Sequence, residues 1–206
     1  MDLASAPVAT QLAAFERIVL GNPVVAAVVE RMPQLELPGC YLAAGALFQT
    51  VWNYLDNRDP GEGINDYDIN YFDGRDLSWD AEDQAIRRAC ELFDDLGARV
   101  EVRNEARVHL WYENKFGVAC PPYEGTEAAI SSFPNTSSCF GIRPGAEGLV
   151  VFAPFGFTDL FSFRTRPNPV LAPRDVYDTK TARWLTEWPR LTVLPWPQVE
   201  PSDPRL

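Results

Sequence analysis

The sequence predicts an α+β fold, a mixed β-sheet with flanking helices, and three observations carry that prediction. Two segments near the N-terminus place apolar residues at helical spacing, residues 64–73 alternate between polar and apolar, and short apolar runs bounded by glycine and proline follow. One domain over residues 1–206 is expected at this length, with N-terminal helices in 1–36 and a proline-rich tail over 195–206. The first helix is expected over 7–20, with Leu12, Phe15 and Val19 on one face and Gly21 ending it. Asn22 caps a second helix opened by Pro23, where a missing N–H costs nothing, and that helix ends before Pro33. Residues 40–43 read as a short buried strand or turn, and 44–55 as a helix with Leu47, Val51, Tyr54 and Leu55 in register.

Residues 64–73 (INDYDINYFD) read as a strand. Ile64, Asp66, Asp68 and Asn70 point one way, and Asn65, Tyr67, Ile69 and Tyr71 the other. Ser78 or Asp80 caps the next helix, whose face is Ile86, Ala89, Cys90, Phe93 and Leu96, with Gly97 closing it. Residues 98–103 and 108–113 read as a hairpin joined by Asn-Glu-Ala. Thr126 is expected to cap a short helix over 127–132. Residues 139–143 and 149–153 read as strands, and a last helix runs from Arg174 to about Trp188.

Composition narrows the function. Eighteen basic against 29 acidic residues give a net charge of −11, so the mean field repels phosphate polymers and nucleic acid is an unlikely partner. The uncharged stretch 37–55 is broken by Pro38, Gly39, Gly45, Gln49 and Asn53, so no membrane span is expected there. The N-terminal residues have an acid at position 2 and no basic run, unlike a signal peptide. The four cysteines form no CxxC pair and read as small buried hydrophobes, which suits a reduced, cytoplasmic setting.

One constellation carries chemistry. Asp66 and Asp68, one residue apart on a strand, share a face with Cα atoms roughly 6.5–7 Å apart. Two like charges there repel, and no basic residue adjoins them in sequence. A divalent cation relieves that repulsion, since Mg²⁺ takes one or two carboxylates together with phosphate oxygens. Upstream, Gly45 and Ala46 open a helix after an apolar run, a junction where phosphate can meet backbone N–H groups. Downstream, alternation puts Arg99, Glu101 and Arg103 on one face, either as a salt-bridged surface or as the setting of a third carboxylate. Asp159 is a rival for that third position, though it also fits a helix cap. His109 alternates with Trp111 and reads as structural or as a neighbour of the metal face. Arg143, Arg164, Arg166 and Lys180 are possible phosphate partners. Trp184, Trp188 and Trp196 read as core or as docking of the tail.

Together the glycine-led helix, Asp66-Tyr67-Asp68-Ile69 and the later carboxylate resemble the polymerase-β-like nucleotidyltransferase superfamily. More narrowly, GALFQTVWNYL, NDYDINYFD, ARVEVRNEARVHLWYENKFG, RPNP and ARWLTEWPRL resemble a bacterial nucleotidyltransferase-like family of unassigned substrate. The resemblance implies Asp66 and Asp68 as ligands of Mg²⁺ or Mn²⁺ and Glu101 as third acid. It also implies Gly45 and Ala46 as the phosphate-side backbone, and an NTP as substrate whose nucleoside monophosphate passes to an acceptor it leaves unnamed. At the helix start the superfamily usually has Gly-Ser or Gly-Gly. Here Ala46 offers no hydroxyl, which motivates the alternative of a non-catalytic nucleotide-binding or protein-interaction module of the same fold.

Overall fold

The computed structural model describes residues 2–197. Its elements run α1 (Val8–Leu20), α2 (Pro23–Arg31), β1 (Tyr41–Ala43), α3 (Gly45–Leu55), β2 (Tyr67–Tyr71), α4 (Trp79–Phe93) and β3 (Val100–Asn104). They continue with α5 (Tyr112–Phe116), α6 (Thr126–Ser131), β4 (Gly141–Gly145), β5 (Gly148–Phe152), α7 (Thr158–Phe161), β6 (Arg164–Thr165), α8 (Arg174–Glu187) and β7 (Thr192–Val193). The main sheet has the order β3-β2-β1-β4-β5, and β6 and β7 form a small parallel pair. Strands β2 and β3 are parallel, with α4 as the crossover, while the other neighbours in the main sheet are antiparallel. This is the expected α+β architecture with a mixed sheet and flanking helices.

Alternation sorts the two faces of the sheet. Leu42, Tyr67, Ile69, Tyr71, Val102 and Ile142 enter the main core beneath α1, α2 and α3. Tyr41 and Ala43 point the other way, into a small cluster with Ile130 and Cys139. Helix α3 is the central beam: every residue from Gly45 to Asn53 is buried. Its Phe48 and Trp52 meet Trp184 and Trp188 edge-on, with ring centroids 5.0–5.7 Å apart. Such a helix is apolar nearly all round because it has no solvent face.

The caps follow the sequence at several points. Asn22 Oδ1 accepts from the N–H groups of Val24 and Val25, and the Ser78 hydroxyl accepts from that of Ala81. Asn22 also reaches out with its amide nitrogen to Thr50 and to the Pro60 carbonyl. Asn53 donates to the carbonyls of Pro60 and Glu62, at 3.2 and 2.8 Å. Residues 56–66, which deliver the chain to Asp66, are thus pinned to α2 and α3.

Four expectations need correction. The hairpin over 98–113 does not form, because only its first strand exists. Asn104 turns its side chain onto the N–H groups of Ala106 and Asp73, which starts a 3₁₀ turn at Glu105–Leu110, followed by α5. Val108 and Tyr112, four apart, then bury together with Cys120, a helical spacing that overrides the apparent alternation. Thr126 lies inside α6 with Gly125 before it, so its hydroxyl caps nothing. Cys90 is exposed, since α4 buries Glu82, Ala85, Ala89 and Phe93 instead. Strand β2 is shorter than residues 64–73, and Asp66 stands just ahead of it. Of the tail expected over 195–206, Trp196 packs on Tyr177 at 5.8 Å, and residues 198–206 lie outside the described residues.

Candidate active site

The site grows from the turn between β1 and α3. Strand β1 ends at Ala43, and Ala44 adopts φ 54°, ψ −121°, a conformation that favours glycine. The strain is held by backbone bonds: the Ala44 N–H donates to the Phe140 carbonyl at 3.0 Å, and its own carbonyl accepts from Leu47 at 3.1 Å. Gly45 follows. A Cβ there would stand 2.8 Å from Gln49 Nε2 and 3.8 Å from Asp66 Oδ1. The first turn of α3, with its N–H groups and positive dipole end, thus lies within van der Waals reach of Asp66, while the missing Cβ makes room for the end of Gln49. The Ala46 methyl is wholly buried in the main core, so this residue can address a ligand only through its backbone.

Asp68 stands on the next strand, on the face away from the main core. Its register neighbours are Ala43 on β1 and Glu101 on β3, which makes one row across three strands. No ion pair or side-chain hydrogen bond among the described residues engages Asp66 or Asp68. Glu101 is paired, with Arg99 at 2.5 Å and Arg103 at 3.8 Å. Burial, then the charges of Asp66 and Glu101, push the Asp68 carboxyl up to about 7, partly offset by Lys180 and Arg103.

Beside Asp68 opens a cavity of about 220 Å³. Asp68 and Asn70 reach it from β2, Glu105 from the 3₁₀ turn after β3, Lys180 from α8, and Trp111, Tyr112, Phe116, Tyr123 and Phe133 provide aromatic walls. Glu105 is 3% exposed and has no hydrogen-bond or ion-pair partner among the described residues. Burial lifts it to about 8, against the lowering effect of Arg103.

The sequence profile of a family described as Nucleotidyltransferase matches residues 30–193, four-fifths of the chain. The chain belongs to the polymerase-β-like nucleotidyltransferase superfamily. Among curated proteins, none matches it. A solved structure, described as an NMR structure revealing a CCA-adding enzyme head domain, superposes with a TM-score of 0.71 at 22% identity. The match covers 94% of this chain and 100% of that one, and at this identity it speaks for the fold.

In this nucleotidyltransferase fold the predicted residues separate into those that converge and those that do not. Gly45 lies beside Asp66, and Asp68 is the register neighbour of Glu101 and feels the charge of Asp66. Asp159 does not join them: it holds Arg166 at 2.5 Å and Arg164 at 3.9 Å, which occupies both arginines as well. Arg143 stacks over Tyr41. Of the four cations named as phosphate partners, Lys180 alone lines the cavity. His109 sits in the 3₁₀ turn, not on a strand, with Nδ1 unpartnered and away from the cavity wall. Sequence reasoning missed Gln49 and Glu105. The spacing of Val108, Tyr112 and Phe116 was the signal that could have exposed the helical segment around Glu105.

The donor set fits a hard cation only in part. Two unengaged carboxylates suit Mg²⁺ or Mn²⁺ completed by phosphate oxygens. No group of three metal-ligating side chains is assembled among the described residues. Glu101 could join only by leaving Arg99.

The raised carboxyls give a signed pH dependence. Asp68 and Glu105 bind protons more tightly folded than unfolded, so their contribution to stability is full below about pH 4 and is lost as pH rises through 7 to 8. Thermal unfolding between pH 5 and 8 should show the midpoint falling with pH. Mg²⁺ should restore more of it at pH 8 than at pH 5, and a midpoint rising over that window would contradict both assignments.

Proposed function

We propose that the protein is a metal-dependent nucleotidyltransferase, moving a nucleoside monophosphate from an NTP to an acceptor and releasing pyrophosphate. The observation that carries this reading is the pair Asp66 and Asp68, without a protein partner among the described residues, with Asp66 beside the glycine-led turn of α3. Asp66 and Asp68 would hold Mg²⁺ or Mn²⁺, which supplies charge neutralisation for the triphosphate and the departing pyrophosphate. The N–H groups of Gly45 and Ala46 would receive phosphate oxygens, and Lys180 would add a mobile positive charge. An acceptor hydroxyl attacks the α-phosphorus, the bond to pyrophosphate breaks, and Glu101 takes the hydroxyl proton once released from Arg99.

Several features support a small acceptor and a cytoplasmic setting. The chain carries a charge of −11, unfavourable for a nucleic-acid polymer. Its four cysteines are free thiols, suited to a reducing compartment. Among the described residues no single helix is long and apolar enough to cross a membrane.

A second reading, a non-catalytic nucleotide-binding or protein-interaction module, draws on two observations: the absence of a hydroxyl at Ala46 and the pairing of Glu101 with two arginines. Incubation with ATP, CTP, GTP and UTP in Mg²⁺ and a panel of small hydroxyl and amine acceptors separates them. Pyrophosphate release that stops on chelation is expected. Tight NTP binding without any release would favour the second reading.

A further inference from the structure

We propose that the cavity beside Asp68 is a ring subsite, taking a flat heterocycle that donates a hydrogen bond to Glu105 and accepts one from Asn70 Nδ2. Two independent polar groups point to this ligand. Glu105 is 3% exposed and Asn70 4%, and both line the cavity. Among the described residues Asn70 Nδ2 is buried with no hydrogen-bond partner, and the Glu105 carboxyl feels only burial and the charges of Arg103 and Asp68, with no hydrogen bond to it. Buried polar groups are nearly always paired, and each left alone costs stability. A buried amide donor and a carboxyl that, protonated, still accepts through its carbonyl oxygen make a complementary pair for the edge of an amide-like ring. The walls agree: Trp111, Tyr112, Phe116, Tyr123 and Phe133 line the cavity, an aromatic enclosure that suits a flat ring better than an aliphatic chain.

The position says what such a ring is for. Asp68 and Lys180 also line the cavity, while Gly45, Gln49 and Asp66 lie outside its wall. A ring held there stands next to Asp68, with Ala44 of the turn into α3 also on the wall. The inference rests on the transferase reading only for which molecule brings the ring, the nucleotide or the acceptor. The ring chemistry is common to both.

The test uses 2-pyridone, which carries an N–H donor beside a carbonyl acceptor, and N-methyl-2-pyridone, which has lost the donor. Both are titrated into isotope-labelled protein without metal or NTP. At least tenfold tighter binding of 2-pyridone is expected, with shifts centred on Trp111 and Asn70. Glu105→Leu should erase that preference and also raise the thermal midpoint, since it removes a buried group with no partner. A structural carboxyl would lower the midpoint. Glu105→Gln, which keeps the shape, should weaken the preference and hold the fold if the leucine does not. Equal binding of the two probes, shifts outside the cavity, or an unchanged preference in both variants would overturn the proposal. Cytidine and uridine added as separate probes assign the source. Glu105-dependent binding of either marks the nucleotide base, and exclusion of both with 2-pyridone retained marks the acceptor. With metal and NTP absent, failure here leaves the aspartate pair untouched, and failure of catalysis leaves this result standing.

Discussion

Asp68→Asn is expected to lower Mg²⁺-dependent pyrophosphate release by about a thousandfold while leaving the protein folded. The magnitude follows from the several kcal/mol that a metal contributes to stabilising transition-state charge, at 1.36 kcal/mol per tenfold in rate. The fold survives because Asp68 engages no protein partner among the described residues. Its neighbours Asp66 and Glu101 repel it, and burial works against its charge. Removing that charge should raise the thermal midpoint at pH 8, where the native carboxylate is ionised. The pairing of a lost activity with a gained stability distinguishes a ligand from a structural residue. Asp66→Asn should behave alike in activity. Steady-state assays beside thermal unfolding at pH 8 check both, and full activity in either variant would refute its role.

Trp188→Ala is expected to cost about 3–5 kcal/mol of stability, the usual range for removing a large buried aromatic side chain. Trp188 has no exposed surface, meets Trp52 at 5.6 Å, lies under Arg58, and donates its indole N–H to Asn53 Oδ1 at 2.9 Å. The same Asn53 holds the carbonyls of Pro60 and Glu62, so the indole is one step from the segment that delivers Asp66. Trp188→Phe keeps one six-membered aromatic ring but loses the N–H and part of the indole. It should cost about 1–3 kcal/mol, from the unpaired buried Asn53 acceptor and the smaller gap left behind. Denaturant titrations give both values. A loss under 1 kcal/mol for the alanine variant would show that α8 docks through other contacts.

The carboxylate row was legible because its signal is local. A period of two around Asp66 and Asp68 is written in five consecutive residues, and the face assignment of Arg99, Glu101 and Arg103 needs only the buried Val102 between them. The start of α3 at Gly45 was legible too, because an apolar run breaks at glycine there. The cavity was not. Its floor and walls come from Asn70, Glu105, α5, the loops around Tyr123 and Phe133, and α8, elements far apart in sequence. The stretch after Asn104 also alternates as a strand would. What decides it is the Asn104 side chain, bonded to Asp73 on the preceding connection, a contact over 31 positions that local pattern does not register. Cys90 shows the same limit. Apolar periodicity put it inward, yet α4 turns the buried Glu82 toward the Asn104 N–H and Arg107, and that rotates Cys90 to solvent.

The most direct measurement is anomalous diffraction from crystals grown with Mn²⁺ and a non-hydrolysable NTP. An anomalous peak in coordination distance of Asp66 and Asp68, with the triphosphate against the Gly45 turn, is the expected result. The two carboxylates splayed apart, or Arg99 and Arg103 closed over them with no ion between, would contradict the metal-dependent transferase.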